Sequence, residues 1–160
     1  MLNGPGDVFA HVTYPMAVVT TSAGDERAGC LVGFHTQCSI DPARYLVCIS
    51  VQNHTCDVAS SAPALALHFL SRADAALARL FGEETGDAVD KFAQCAWVPG
   101  PYGVPLLQHD GSWIAGPIVM RSVVGDHQAM VIDTVYGGGQ PPSPQLQYAD
   151  VMEFRPGHPA

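Results

Sequence analysis

Met16-Ala17-Val18-Val19-Thr20 is a short β-favouring run, Thr21-Ser22-Ala23-Gly24-Asp25 is a cluster of turn formers, and Cys30-Leu31-Val32-Gly33-Phe34 is a second apolar run. Two such runs around a turn read as a β-hairpin. The theme recurs downstream. Pro42 fixes its own φ and pushes Asp41 toward an extended conformation, and Tyr45 to Val51 then resumes as a near-continuous apolar strand, expected to be buried on both faces. Further strands are expected at Ala64 to Leu70, Trp113 to Val124, Ala129 to Tyr136 and Tyr148 to Phe154, with Gly125-Asp126 as a hairpin turn.

Helical signals are few and short. Thr55 is placed to cap a helix that runs to Ser61 and stops before Pro63. Ser71 with Asp74 three residues on reads as the start of a helix over Ala73 to Phe81, closed by Gly82. Asp87 to Phe92 is expected to form a helical turn, and Trp97 to Pro105 and Gly137 to Pro144 to be loops. Short strands interrupted by short helices, without β-α alternation, argue for an all-β antiparallel barrel or sandwich.

A chain of 160 residues is about one domain long, so residues 1–160 are expected to form a single domain. With 48% hydrophobic and 14% charged residues it can bury a core without disulfides. The net charge is −8 and the seven Lys and Arg are scattered, which leaves no basic stripe for nucleic acid. No window approaches the ~20 apolar residues of a membrane helix. Met1 to Ala10 has neither a basic n-region nor an apolar h-region, and the protein is expected to be cytoplasmic. For the same reason Asn53-His54-Thr55 is not read as a glycosylation acceptor. The five cysteines, Cys30, Cys38, Cys48, Cys56 and Cys95, lack the spacing of a zinc site and are expected to pack as small hydrophobes.

A set of landmarks in fixed order carries more information than any of them alone. They are Tyr14-Pro15-Met16-Ala17-Val18-Val19-Thr20-Thr21, the segment Gly29 to Pro42 closing in Ser39-Ile40-Asp41-Pro42, and Leu46-Val47-Cys48-Ile49-Ser50. Asn53-His54-Thr55, His68-Phe69-Leu70, Asp90-Lys91-Phe92, Gly103-Val104-Pro105-Leu106-Leu107 and Gly125-Asp126-His127 follow. Together they resemble the flavin reductase family of FMN-binding split β-barrels. The resemblance implies a six-stranded antiparallel split β-barrel that pairs as a homodimer around two flavins. It also implies an NAD(P)H:flavin oxidoreductase with FMN (or FAD) as flavin and NADH or NADPH as co-substrate, the reductase component of a two-component flavin monooxygenase.

By the same resemblance Val32, Gly33, Phe34, His35, Gln37, Cys38 and Ser39 run along the flavin, and Ser50, Asn53, His54 and Thr55 meet its ribityl chain and phosphate. Lys91, beside Phe92, would bring a charge to the phosphate, His68, Phe69 and Leu70 would flank the cofactor, and His127 would approach the nicotinamide as the catalytic candidate. The chain departs from the family where Leu31 and Gly33 replace hydroxyl residues, His35 an apolar one and Gln37 a small hydroxyl one. Backbone N–H groups can still cradle a ring there, since Gly33 permits close approach. Two other readings remain open: a flavin-binding protein without nicotinamide activity, and a barrel adapted to deazaflavin or to haem, with His35, His54 or His127 as axial ligand.

Overall fold

The computed structural model describes residues 1–157 and contains the expected hairpin. Strands β1 (Ala17–Ala23) and β2 (Glu26–Val32) pair antiparallel from Ala17↔Val32 to Ala23↔Glu26, so Gly24 and Asp25 make the turn. Next come β3 (His35–Ser39), β4 (Arg44–Ser50) and β5 (Ala64–Phe69). Strands β6 (Trp97–Pro99) and β7 (Pro105–Leu107) form a small hairpin of their own. The long β8 (Ser112–Val124), β9 (His127–Asp133) and β10 (Tyr136–Gly139) complete the set.

Six strands in the order β2-β1-β5-β8-β9-β4 form the wall of a split barrel, β3 extends it beyond β4, and β10 pairs with β8. Every pairing is antiparallel. The sheet folds on itself within β8, whose first half pairs with β5 and whose second half pairs with β9. Gly116 sits at that fold, where a Cβ would lie 1.6 Å from the Asp133 carbonyl oxygen, so only a residue without a side chain lets the two halves meet.

Strand β1 is buried along almost its whole length because it packs a core on each face. Ala17 and Val19 join Val47, Ile49, Leu65, Leu67, Met130 and Ile132 inside the barrel. Val18 faces the other way, to a cluster with Leu70, Phe81, Phe92 and Leu146 beneath α3 (Ala75–Glu83). A third cluster, with Ala64, Ala66, Val104 and Leu106, lies under the β6–β7 hairpin. Burying one Val- or Leu-sized side chain contributes roughly 1.5–3 kcal/mol. That accounts for the apolar run of β1 reading as continuous rather than alternating.

Several expectations need correction. Strand β4 is buried fully only at Val47 and Ile49, because its other face opens onto a cleft. The helix after it is α2 (His54–Ser61), capped by Asn53, whose Oδ1 accepts from the Thr55 N–H at 2.9 Å; Thr55 itself lies inside the helix. The Ser71–Asp74 capping box is present, but it opens a 3₁₀ turn at Arg72–Asp74, and α3 runs past Gly82 to Glu83. The helical turn expected at Asp87 to Phe92 is shorter and later, at Lys91–Ala93.

The tract read as a loop from Gly137 begins as strand β10, and its glycines have a packing reason: a Cβ on Gly138 would lie 3.2 Å from the Trp113 indole nitrogen. Tyr148 to Phe154 contains helix α4 (Tyr148–Val151) where a strand was expected; a capping box between Gln147 and Asp150 starts it. Cys30 and Cys56 are buried as expected, whereas Cys38 is exposed on β3, and all five thiols are free. The short α1 (Pro5–Phe9) buries nothing. Among the described residues no helix is long and apolar enough to cross a membrane.

Candidate functional site

Strands β2 and β3 stand at the two ends of the strand order, and Gly33-Phe34 joins them. A cleft of ≈ 560 Å³ opens at this join, between the end of β2, the face of β4 and the segment after α4. That volume lies within the range of cofactor sites, about 300–1,000 Å³. One wall is aromatic. Tyr148 stacks on Tyr14 with centroids 4.9 Å apart, Tyr14 lies 6.0 Å from Phe34, and Phe34 lies 5.2 Å from the His127 ring. The rest of the apolar lining comes from Leu31, Gly82, Val151, Met152 and Phe154.

Gly33 lets the Tyr14 ring pack against the seam, because a Cβ there would fall 2.3 Å from Cε2 of Tyr14. Burial, and then the neighbouring Tyr148, push the Tyr14 phenol above its ordinary value, so its ring faces the cleft as a neutral surface. The polar groups collect at one end: Ser50, Asn53, Asp126 and His127. His127 follows the β8–β9 turn, and its Nδ1 lies 2.6 Å from Oδ1 of Asp126. That hydrogen bond holds the Asp126 carboxyl below its usual value and fixes the donating nitrogen of His127, leaving Nε2 for a ligand. Burial pushes the Cys30 thiol up to about 11 and raises Cys48, which disfavours the thiolate at both positions in the cleft.

Of the residues named from sequence, the fold gathers Val32, Gly33, Phe34, Ser50, Asn53 and His127 in this cleft. The others lie elsewhere. His35 turns away to bond the Tyr45 hydroxyl and the Pro15 carbonyl, each at 2.8 Å, and burial lowers its pKa. Gln37 and Cys38 are exposed on β3, where the Gln37 amide donates to the Ser39 carbonyl. Thr55 is buried in α2, Leu70 belongs to the cluster beneath α3, and Phe69 packs on Tyr45 and His35.

His68 is fully buried on the far side of the barrel wall, in a chain of hydrogen bonds with Thr20 and His109. Lys91 is also buried. Its ammonium donates to the carbonyls of Gly29 at 3.0 Å and Phe81 at 3.4 Å and lies over the Phe81 ring, so it caps the edge of β2. Lys91, Phe92 and His54 border a separate pocket of ≈ 360 Å³, where His54 sits between Glu26 at 3.2 Å and Asp87 at 3.1 Å.

Both ring nitrogens of His35 are hydrogen-bonded and those of His54 lie beside the Glu26 and Asp87 carboxylates, so neither ring offers an uncommitted nitrogen as an axial ligand. Tyr14, Tyr148, Asp126 and Phe154 were not named from sequence as cleft residues. Of these, Asp126, adjacent to His127 in the turn, and Tyr14, at the head of the first landmark, carried a readable signal.

The architecture is that of a split β-barrel with a cofactor-sized cleft at its open seam. Residues 9–152 match the flavin reductase like domain, and the chain belongs to that family. A stachydrine N-demethylase reductase subunit of Rhizobium meliloti (strain 1021) is 30% identical over 122 residues, covering 74% of this chain and 51% of that protein; the chain thus spans about half its length. The 4-hydroxyphenylacetate 3-monooxygenase reductase component of Salmonella typhimurium is 25% identical over 127 residues, 79% of this chain and 75% of the relative. A flavin reductase domain protein from Arthrobacter sp. FB24 superposes with a TM-score of 0.82 at 21% identity, covering 91% of this chain and 89% of the other. The NADH:FAD oxidoreductase of Streptomyces globisporus C-1027 does so with a TM-score of 0.81 at 22% identity, covering 92% and 90%. At these identities the structural likeness establishes the fold.

Proposed function

We propose that the chain, acting as one domain over residues 1–160, is an NAD(P)H:flavin oxidoreductase that delivers reduced flavin to a partner monooxygenase. Membership of the family supports flavin chemistry, and the monooxygenase reductase component among its relatives supports the partner. The observation that carries the reading is the cleft at the β2–β3 seam, with its aromatic wall and the Asp126–His127 pair at one end.

The ring of a flavin fits the lining of this cleft: flat aromatic and apolar walls beside backbone at Val32, Gly33 and Phe34, with the Tyr14 ring packed against Gly33. Bound there, a flavin (FMN, or FAD) supplies hydride acceptance from NADH or NADPH. Phe34 and Tyr14 exclude water from one face, while Ser50 and Asn53 offer hydrogen bonds to the polar chain of the ligand. His127, oriented by Asp126, donates from or accepts at Nε2 and positions the nicotinamide. Val119, Met120, Val123 and Val124 leave the second half of β8 apolar and exposed, and a second copy covering that stretch would make the homodimer.

The test is nicotinamide oxidation followed by absorbance, with and without added FMN or FAD. Oxidation should require flavin and fall by about tenfold or more in His127→Ala. Flavin binding without oxidation of either nicotinamide would refute the reductase reading and leave a flavin-binding protein.

A further inference from the structure

We infer that Arg155, at the lip of the cleft, is the residue that meets the phosphate of a ligand bound there. The inference rests on the flavin and nicotinamide reading above and adds to it a residue outside the cleft lining.

Arg155 is exposed and lies between Phe154 and Pro156, both of which line the cleft. The segment is pinned to the end of α3. The Arg155 N–H donates to Glu83 Oε1 at 3.1 Å, the Gly157 N–H to the Gly82 carbonyl at 3.4 Å, and a Cβ on Gly82 would lie 3.4 Å from Cδ2 of Phe154. The backbone is thereby fixed, while the guanidinium rides on a flexible stem long enough to fold over the rim.

Elimination leads to the same residue. The chain carries seven Lys and Arg, and six of them have partners. Arg27 lies 4.9 Å from the Trp97 ring, Arg44 pairs with Asp133 at 2.8 Å, Arg72 with Asp150 at 3.1 Å and Arg79 with Glu83 at 2.8 Å. Lys91 and Arg121 donate to backbone carbonyls. Among the described residues the Arg155 guanidinium alone has no such partner. Glu83 is close but engaged: the Arg155 N–H, and then Arg79, hold its carboxyl below the usual value. Glu153 is exposed on the same segment, so the lip is no basic patch and presents a single cation, suited to one anionic group.

The phosphate of FMN and the phosphates of a nicotinamide dinucleotide pose the same demand. A charged group is costly to dehydrate, so it stays at the mouth of an apolar cleft, where a guanidinium can meet two of its oxygens at once. Inside, Ser50 and Asn53 bring hydrogen bonds without charge, and the Asp126 carboxylate repels an anion. In a chain of net charge −8, one uncommitted cation at the mouth decides where a phosphate docks.

The test compares the wild-type protein with Arg155→Gln, Arg155→Lys and Glu153→Gln. Riboflavin and FMN are titrated by quenching of flavin fluorescence, and KM and kcat are measured for NADH. Arg155→Gln should weaken the phosphate-bearing ligand by about fivefold or more, with Arg155→Lys keeping part of the affinity and Glu153→Gln losing none. Weaker FMN with riboflavin unchanged assigns the flavin phosphate. Unchanged FMN with a KM for NADH that rises more than kcat falls assigns the phosphates of the dinucleotide. FMN and NADH both unchanged in Arg155→Gln, or riboflavin weakened as much as FMN, would overturn the inference. A wild-type protein that quenches neither flavin would overturn the flavin reading itself, and this inference with it.

Discussion

The buried chain through His68 makes the stability of the barrel depend on pH in a calculable way. The Thr20 hydroxyl donates to the Pro105 carbonyl at 2.6 Å, so Thr20 Oγ1 must accept from His68 Nε2–H at 3.1 Å. His68 Nδ1 is then an acceptor for His109 Nε2–H at 3.3 Å, and His109 Nδ1 accepts the Gly111 N–H at 3.0 Å. Each nitrogen is used once and both rings are neutral. A further proton on either ring must displace one of these bonds inside the wall. Burial, and then the neighbouring His109, lower His68 to about 3, and burial lowers His109 as well.

In the unfolded chain His68 takes up a proton near its ordinary value of about 6.5, whereas the folded chain refuses it until about 3. Its contribution to stability is therefore complete above pH 6.5 and is lost progressively as pH falls from 6.5 to about 3. At pH 5 the loss is about 2 kcal/mol, and any folded value well below 5 gives the same figure. Urea unfolding at pH 7.5 and pH 5 should show the wild-type protein losing about 2 kcal/mol more than His68→Gln, which cannot take up that proton. In the folded protein the His68 ring resonances should stay flat between pH 7 and pH 4.5. Equal losses in the two proteins, or a His68 resonance titrating above pH 5, would refute the reasoning.

Lys91→Ala removes the donor from two carbonyls and the stem from the core, and should lower stability by roughly 2–4 kcal/mol in denaturant while leaving the FMN dissociation constant of the folded protein unchanged; weaker FMN binding would mean the ammonium reaches a ligand. Gly116→Ala sets a Cβ against the fixed backbone of Asp133 and should cost roughly 3 kcal/mol or more, seen as loss of soluble protein or a much lower urea midpoint. Gly33→Ala collides with the movable ends of the Tyr14 and Met16 side chains, so about 1 kcal/mol is expected, together with a changed near-ultraviolet tyrosine signal as the Tyr14–Tyr148 stack shifts.

What was legible in the sequence was local. The β1–β2 hairpin, the strands at Tyr45, Ala64 and Trp113 and the Ser71–Asp74 box are each written in neighbouring residues, and each is present. Tertiary packing overrode local signals at the end of the chain. The Gly137–Gly139 tract looks like a loop by composition and is a strand because Trp113 leaves no room for a Cβ beside it. Tyr148 to Val151 looks like a strand and is a helix, set by the Gln147–Asp150 capping box. The cleft was half legible: the residues at the β2 end and in the β8–β9 turn were in reach of a motif, whereas Tyr14, Tyr148 and Phe154 converge on it from distant elements.

Lys91 marks the limit most clearly, because a lysine at the start of a short turn reads the same whether it faces a ligand or the underside of a strand. Its placement follows from the position of β2 at the end of the strand order. An edge strand has carbonyls with no partner strand, and an unmet buried carbonyl is expensive. At Gly29 the chain meets that need with the Lys91 ammonium; three residues further on, from Val32 to Phe34, the same edge stays open and becomes the lip of the cleft. Closing the edge and charging the cleft draw on the same lysine. Sealing β2 with Lys91 removes that lysine from the cleft, whose lining at the β2 end is aromatic and apolar.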